Sequence, residues 1–375
     1  MKPRNISDLR LQARGRLPRL VFDYVDGGAM DEITLRNNIT DFESLTLKPR
    51  ALVDVAKRNL GISLFGRSLS MPLLLAPTGL TGLIWPKGEL QAALACKESG
   101  VGYCLSSNAS MSIEQISEGT GSPFWFQIYQ MKDRDLTRSM ITRAKRAGCD
   151  ALVLTVDLAV GGRRERDLLN GLTIPPKLSA GNILNVLSRP YWLKSYLLGP
   201  DVTFGNYPID NARGLADMAR FISEQIDQSA SWDVISWAKE IFQGPVLVKG
   251  ILTGEDAKKA VASGADGIIV SNHGGRQLDN VSSSIAALPR IVGAIESRVP
   301  ILMDGGIRRG ADIARACALG ATACLIGRPF LYGLGAAGRD GVSTAINFLK
   351  SELDNTMALL GVPSVADLDD NVIQH

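Results

Sequence analysis

Eight short apolar runs, separated for most of the chain by helical patterns, constrain this sequence more than anything else in it. They fall at 73–77, 101–106, 124–129, 151–157, 246–250, 267–272, 301–305 and 323–327. Runs so continuously apolar suit strands buried on both faces, and a parallel sheet covered by helices provides that burial. Between runs, Leu136, Met140, Ala144 and Ala147 share one helical face, and Ile313, Ala316, Cys317 and Gly320 keep the same spacing. Thr253 and Asp256 form a candidate capping pair before Ala257, Ala260 and Val261. Three helix-to-strand junctions (148–155, 264–271 and 320–327) resemble one another, each opening on a glycine suited to a helix C-terminus. Eight such units predict an α/β chain closed as a (β/α)8 TIM barrel, with a doubly wound open sheet as the alternative.

The chain reads as one domain over 1–375. Residues 6–66 read as an N-terminal cap, with a helical opening from Leu9 to Tyr24, then Asp26-Gly27-Gly28 and a polar stretch to Asn38. After the fourth run no strand returns until Val246, so 160–240 is a long insertion: a lid, or an attachment device. Its middle, 183–204, sets Tyr191, Trp192, Tyr196 and several leucines beside Arg189 and Lys194. That composition suits either a membrane interface or packing on the barrel itself.

A net charge of +3 gives no basis for nucleic-acid binding. Five cysteines in apolar settings (Cys96, Cys104, Cys149, Cys317, Cys324) predict buried thiols in a reducing compartment, and no Cys/His cluster has metal spacing. The N-terminus lacks the apolar core of a signal peptide, and the most apolar run, 71–85, is broken by Pro77, Gly79 and Gly82. Spanning a bilayer takes about 20 continuous apolar residues. The expected location is cytoplasmic, or peripheral on the inner face of the cell membrane.

In a barrel, side chains at the C-terminal strand ends converge on one mouth. Those positions carry Pro77-Thr78-Gly79, Ser106, Gln127 with Tyr129, Thr155 with Asp157, Lys249, Ser271 with His273, Asp304-Gly305-Gly306, and Gly327-Arg328. The only other histidine is the last residue, His375, so imidazole chemistry at neutral pH falls to His273. Arg276, after two glycines, offers a planar fork for a carboxylate or phosphate. Asp304-Gly-Gly-Ile-Arg308 opens a helix and Gly327-Arg328 follows the eighth run, a pairing that suits a phosphate. Lys249 needs a negative partner in its apolar setting. Asp157 or Asp304 can serve, or the amine can form a Schiff base or neutralise charge on a cofactor. No Gly-x-Gly-x-x-Gly follows the first strand, which disfavours a nicotinamide fold.

Ser271-Asn-His-Gly-Gly-Arg-Gln-Leu-Asp279, with Tyr24-x-x-Gly27-Gly28, Asp304-Gly-Gly-Ile-Arg308 and Gly327-Arg328, resembles the signature of the FMN-dependent L-α-hydroxy acid oxidases and dehydrogenases. The likeness runs nearly the whole chain and implies an eight-stranded α/β barrel with FMN as cofactor. It makes His273 the base that takes the substrate's α-proton, and Asp157 the group that orients its imidazolium. Arg276 and Arg164 would hold the substrate carboxylate, and Tyr24 and Tyr129 its oxygens. Lys249 would stabilise the reduced flavin, with Pro77, Thr78, Gly79, Ser106, Gln127, Thr155 and Ser271 lining the ring. Asp304, Gly306, Arg308, Gly327 and Arg328 would hold the ribityl phosphate, and no metal is implied.

Within the family, 156–167 and 77–87 look most like the (S)-mandelate dehydrogenases, while 189–192 and 205–206 look more like the L-lactate dehydrogenases. Gly79 stands where the oxidases tend to carry alanine, which favours a dehydrogenase passing electrons to a quinone-type acceptor. Asn108 and Gly161 stand where glycolate oxidase is bulky, leaving room for a larger substrate side chain, although Asn108 departs from the mandelate pattern. The resemblance also implies a homo-oligomer, often a tetramer. Two other readings remain: an oxidase returning electrons to oxygen, and a flavin-binding protein without catalysis. Both arginines and His273 weigh against the second, since cofactor binding alone needs none of them.

Overall fold

A computed structural model describes residues 2–171, 179–207 and 215–374. His375 and parts of the expected insertion lie outside the described residues. The eight runs form strands β1 (Leu73–Leu75), β2 (Gly102–Ser106), β3 (Trp125–Tyr129), β4 (Ala151–Thr155), β5 (Val246–Ile251), β6 (Gly267–Val270), β7 (Ile301–Asp304) and β8 (Ala323–Ile326). All pair in parallel and the eighth returns to the first, so the sheet is a closed barrel and not the open alternative.

Each strand turns alternate residues inward, and the inward series changes character along the strand. Cys104, Trp125, Ala151, Val153, Leu247, Ile269, Leu302 and Leu325 fill the interior. Two residues beyond the last interior apolar side chain come Ser106, Gln127, Thr155, Lys249, Ser271 and Asp304, all buried. Period-two alternation therefore carries these polar groups to one end of an apolar plug. The opposite end is closed by a hairpin, Ile62–Leu64 paired with Arg67–Leu69, whose Leu64 and Leu69 join the interior cluster.

The cap holds three helices: α1 (Ile6–Arg16), α2 (Arg19–Asp26) and α3 (Ile33–Ser44). The continuous helix read from Leu9 to Tyr24 is in fact two. Pro18 keeps Leu17 in an extended conformation at ψ 146°, as steric conflict with a following proline ring requires. The stretch read as merely polar up to Asn38 contains the start of α3, whose Thr34, Asn38 and Phe42 are buried. Around the barrel lie α4 (Gly88–Ser99), α5 (Ile113–Thr120) and α6 (Arg134–Arg146). The insertion contributes α7 (Glu165–Leu169), α8 (Ala180–Leu187), α9 (Pro190–Leu198) and α10 (Leu215–Gln225). Then come α11 (Asp233–Phe242), α12 (Gly254–Ala262), α13 (Ser284–Ile295), α14 (Gly310–Ala318) and α15 (Arg328–Leu360), the last kinked at Ala337–Gly338. Thr253 caps α12 as expected, accepting from the Asp256 amide. All five cysteines are free, four of them buried.

One buried carboxylate fastens cap, insertion and barrel together. Asp26, only 6% exposed, accepts from Arg10 of α1, Arg166 of α7 and the Tyr332 hydroxyl of α15. Burial alone would raise its pKa, but these donors outweigh that and hold it at about 2, against 3.8 in solution. A depressed carboxylate stabilises the fold above its unfolded pKa and loses that contribution as pH falls through its folded value. Asp26→Asn should therefore cost roughly 2 kcal/mol at neutral pH. Denaturant midpoints should converge with those of the wild type as the pH drops from about 4 to about 2. Midpoints that stay equally separated across that range would contradict this role.

Candidate active site

The barrel mouth gathers the polar strand ends in register. Ser106 pairs across from Gln127, Tyr129 from Thr155, and Thr155 from Lys249. Ser106 Oγ donates to Gln127 Oε1 at 3.0 Å. Lys249, 4% exposed, lies 3.2 Å from Asp304 Oδ2 and donates to Ser271 Oγ at 2.9 Å. Of the partners open to it from sequence, Asp304 makes the contact. Burial opposes the ammonium, but the charges of Asp304 and Asp157 prevail and raise its pKa.

His273 leaves β6 in the left-handed region at φ 57°, uncommon for a non-glycine residue though better tolerated by histidine than by most. Its backbone N–H donates to Ser271 Oγ at 3.0 Å, and its Nδ1 lies 2.9 Å from Asp157 Oδ1. Burial pushes the Asp157 carboxyl up, yet His273 and then Lys249 bring it below the usual carboxylate range. Asp157 is therefore ionised throughout the neutral range, and its bond to Nδ1 leaves Nε2 as the nitrogen available to a substrate.

Arg276 spends Nη1 on the carbonyls of Tyr24 and Gly27, at 2.7 and 3.0 Å, and its guanidinium lies 5.1 Å from the centre of the Tyr24 ring. Burial and then the neighbouring Arg164 guanidinium pull Arg276 down to about 9. Arg276 is thus a buried cation beside a second cation, partly relieved by Tyr24 and Asp167. Arg164 reaches Asp167 at 3.5 Å. Tyr129 is buried, and burial followed by the Asp157 charge raises its phenol while Arg164 and Arg276 draw it back. The mouth thus brings Tyr24, Tyr129, Asp157, Arg164, His273 and Arg276 into one electrostatic neighbourhood. At Gly79, a Cβ would sit 3.2 Å from the Asn108 carbonyl and 3.6 Å from the Tyr24 hydroxyl, so this position also borders the site.

On the adjacent rim, Gly305 and Gly306 take φ 91° and 89°, exposing backbone where a Cβ on Gly306 would strike the Asn38 carbonyl. Arg328, after Gly327, is lowered by burial first and then by the nearby Arg308 charge. Its Nε, Nη1 and Nη2 donate to the carbonyls of Val25, Gly274 and Gly27, so it also ties the cap to the histidine turn. Arg308 donates Nη1 to its neighbour's carbonyl at Ile307. Thr78 approaches Gly327 across the β1–β8 seam, and Pro77 is half-buried beside it.

A family model for FMN-dependent dehydrogenases matches residues 13–375. The chain belongs to the FMN-dependent dehydrogenase family. This FMN-dependent dehydrogenase is 43% identical over 365 residues to an L-lactate dehydrogenase of Haemophilus influenzae (strain PittEE), covering 96% of each chain. It is 40% identical over 371 residues to the (S)-mandelate dehydrogenase of Pseudomonas putida, covering 99% of this chain and 94% of that one. A crystal structure of the monotopic membrane protein (S)-mandelate dehydrogenase superposes with a TM-score of 0.96 at 40% identity, covering both chains fully. The protein is an oxidoreductase that depends on FMN.

The residues at the mouth fit that cofactor. Gln127 Nε2, Thr155 Oγ1 and Asp304 Oδ1 are buried polar atoms with no partner among the described residues. Such atoms are costly unless a ligand or water satisfies them, and a flavin ring edge and ribityl chain carry the complementary donors and acceptors. Arg308, two residues past the Gly305-Gly306 turn, and Arg328, close enough to feel its charge, suit a phosphate.

Several positioning groups escaped the sequence reading. Gln277 donates to the carbonyls of Asp157 and Val160 and accepts from the Gly162 amide, fixing the loop that carries Asp157. Asn38 of α3 and Asn272 exchange side-chain bonds at 2.9 and 2.8 Å and clamp the histidine turn to the cap. Tyr207, from the insertion, donates to Asn108 Oδ1 at 2.9 Å and so links the insertion to the Gly79 rim. Asn272 and Gln277 stand in the nine-residue motif without an assigned role, and Gly250 carries a local signal of its own. It follows Lys249, takes φ 107°, and would drive a Cβ to 2.6 Å from Asp157, so it must be glycine.

Proposed function

We propose that this FMN-dependent dehydrogenase oxidises an (S)-2-hydroxy acid to the 2-oxo acid and passes the electrons to a quinone-type acceptor. The observation that carries the reading is the His273–Asp157 pair set beside Arg276, whose Nε and Nη2 make no bond among the described residues. Those two nitrogens suit a bidentate carboxylate, with Arg164 adding charge from the insertion side. Tyr24 and Tyr129 supply hydroxyls for the remaining substrate oxygens. His273 Nε2 accepts the proton that leaves the substrate, and the ionised Asp157 stabilises the imidazolium so formed. Lys249 places a fixed positive charge beneath the site, where negative charge develops during oxidation. FMN, when bound, accepts the two electrons released from the substrate carbon.

Anaerobic bleaching of the bound flavin by a panel of 2-hydroxy acids, including mandelate and lactate, tests the reading. Flavin that stays oxidised with every acid would overturn it. Repeating the assay in air separates the dehydrogenase from an oxidase, which would form peroxide as fast as substrate disappears. Arg276→Met should lower kcat/KM for any 2-hydroxy acid on the order of 100-fold, because charge-assisted bonds to the carboxylate are lost. An unchanged kcat/KM would remove Arg276 from substrate binding.

The same proposal includes a peripheral membrane contact. Ile183, Leu184 and Leu187 of α8 and Tyr191, Leu197 and Leu198 of α9 are exposed, while Trp192 is buried and donates to the Leu83 carbonyl. One face therefore anchors to the barrel as a lid would, and the other offers apolar side chains to a bilayer interface. No helix among the described residues is long and apolar enough to cross a membrane. Sequence likeness to the family supports a homo-oligomer as well, for which light scattering in detergent is the measurement.

A further inference from the structure

Where the cap meets the insertion, an open cavity of about 580 Å³ lies outside the barrel mouth. Its lining includes Arg14 of α1, Arg19 of α2, Arg166 of α7, and Arg189 at the start of α9, with Asp23 the single acidic member. Two of the four arginines are already matched: Arg19 lies 3.3 Å from Asp23, and Arg166 pairs with Asp26 and Glu32. Asp23 is doubly engaged, accepting also from Asn170 Nδ2 at 2.7 Å. Arg14 and Arg189 have no acidic partner among the described residues, and Arg189 Nε is buried without a hydrogen-bond acceptor. A buried guanidinium N–H without an acceptor is costly, and an arriving anion relieves it.

We propose that this cavity binds a phosphate-bearing anion. Guanidinium groups converging on a concave space match phosphate oxygens in number and geometry. The positive N-terminal end of α9 adds to the same field. Leu17, Phe22 and Leu169 supply apolar wall beside the arginines, so the ligand carries an organic portion next to its phosphate. Arg189 sits between α8 and α9, whose exposed leucines are those of the proposed membrane contact. Phosphate chemistry can reach this place as an anionic lipid headgroup or as a soluble phosphate ester.

The experiment uses the flavin-loaded, full-length enzyme and compares Arg14→Gln and Arg189→Gln with Lys194→Gln. Lys194 is an exposed cation of α9 that does not line the cavity. One arm measures the thermal midpoint with inorganic phosphate or glycerol phosphate against chloride of equal ionic strength. The other measures flotation with phosphatidylcholine vesicles, with and without phosphatidylglycerol. Phosphate should raise the midpoint of the wild type and of Lys194→Gln but not of the two arginine variants. If the source is lipid, each arginine variant should lose phosphatidylglycerol binding on the order of 10–100-fold. Lys194→Gln should lose only about the fivefold expected of any near-surface charge. Lost phosphate protection with unchanged flotation would assign a soluble ester instead. If the arginine variants match Lys194→Gln in both arms, the site does not exist. Bleaching by 2-hydroxy acid in the same samples reports separately on the catalytic reading.

Discussion

His273→Gln should yield a protein that stays yellow and that 2-hydroxy acids no longer bleach. Among the described residues the imidazole's one side-chain bond is to Asp157, whereas Ser271 is held through the His273 backbone N–H and by Lys249. Removing the ring therefore deletes the proposed proton acceptor and leaves the polar floor of the site in place. General-base catalysis is worth about 10²–10⁴-fold, so anaerobic flavin reduction should slow by that order with little change in flavin content. Backbone strain is the competing explanation, because residue 273 sits at φ 57°. His273→Asn addresses it, since asparagine tolerates that region better than glutamine. If both variants lose reduction equally, the loss belongs to the base and not to the turn. Stopped-flow reduction at near-wild-type rate in either variant would end the assignment of His273 as proton acceptor.

The second large effect belongs to Lys249. Exchange for methionine keeps the length and removes the charge, leaving the buried carboxylate of Asp304 without its cation at 3.2 Å. Asp157 loses a stabilising charge at the same time. Breaking one side of a buried pair costs about 3–5 kcal/mol, because the surviving charge has lost its solvent and its partner. The denaturant midpoint of the flavin-loaded enzyme should fall accordingly, and flavin reduction should slow as well. Adding Asp304→Asn to Lys249→Met should recover part of the stability, since no unpaired charge then remains, but not the reduction rate. A Lys249→Met enzyme as stable as the wild type would show that the pair carries no structural weight.

These two residues differ in how far their roles could be read from the chain alone. His273 stood out because it is one of two histidines and closes an apolar run before two glycines. Lys249 was conspicuous for its charge at the end of an apolar strand, yet its partner was ambiguous between Asp157 and Asp304. Distance along the chain says nothing about which carboxylate lies across a closed barrel. The strands were legible because burial on both faces demands continuous apolar composition. The cap is less so: local composition hides the break at Pro18, and α3 has the composition of a polar stretch although Asn38 on its inner face grips Asn272. A polar residue buried for a hydrogen bond looks, in sequence, like one exposed to water.

The strand count, the polar residues at the strand ends and the nine-residue histidine motif are all legible along the chain, because period, composition and local spacing are one-dimensional quantities. Which cation faces which anion, that Gln277 grips the Asp157 loop, that Asn38 clamps the histidine turn, and that Tyr207 of the insertion reaches Asn108 all follow from three-dimensional closure. Those contacts join segments far apart in the chain. They exist because barrel closure brings the ends of all eight strands to one rim, a consequence of strand pairing that no local pattern encodes.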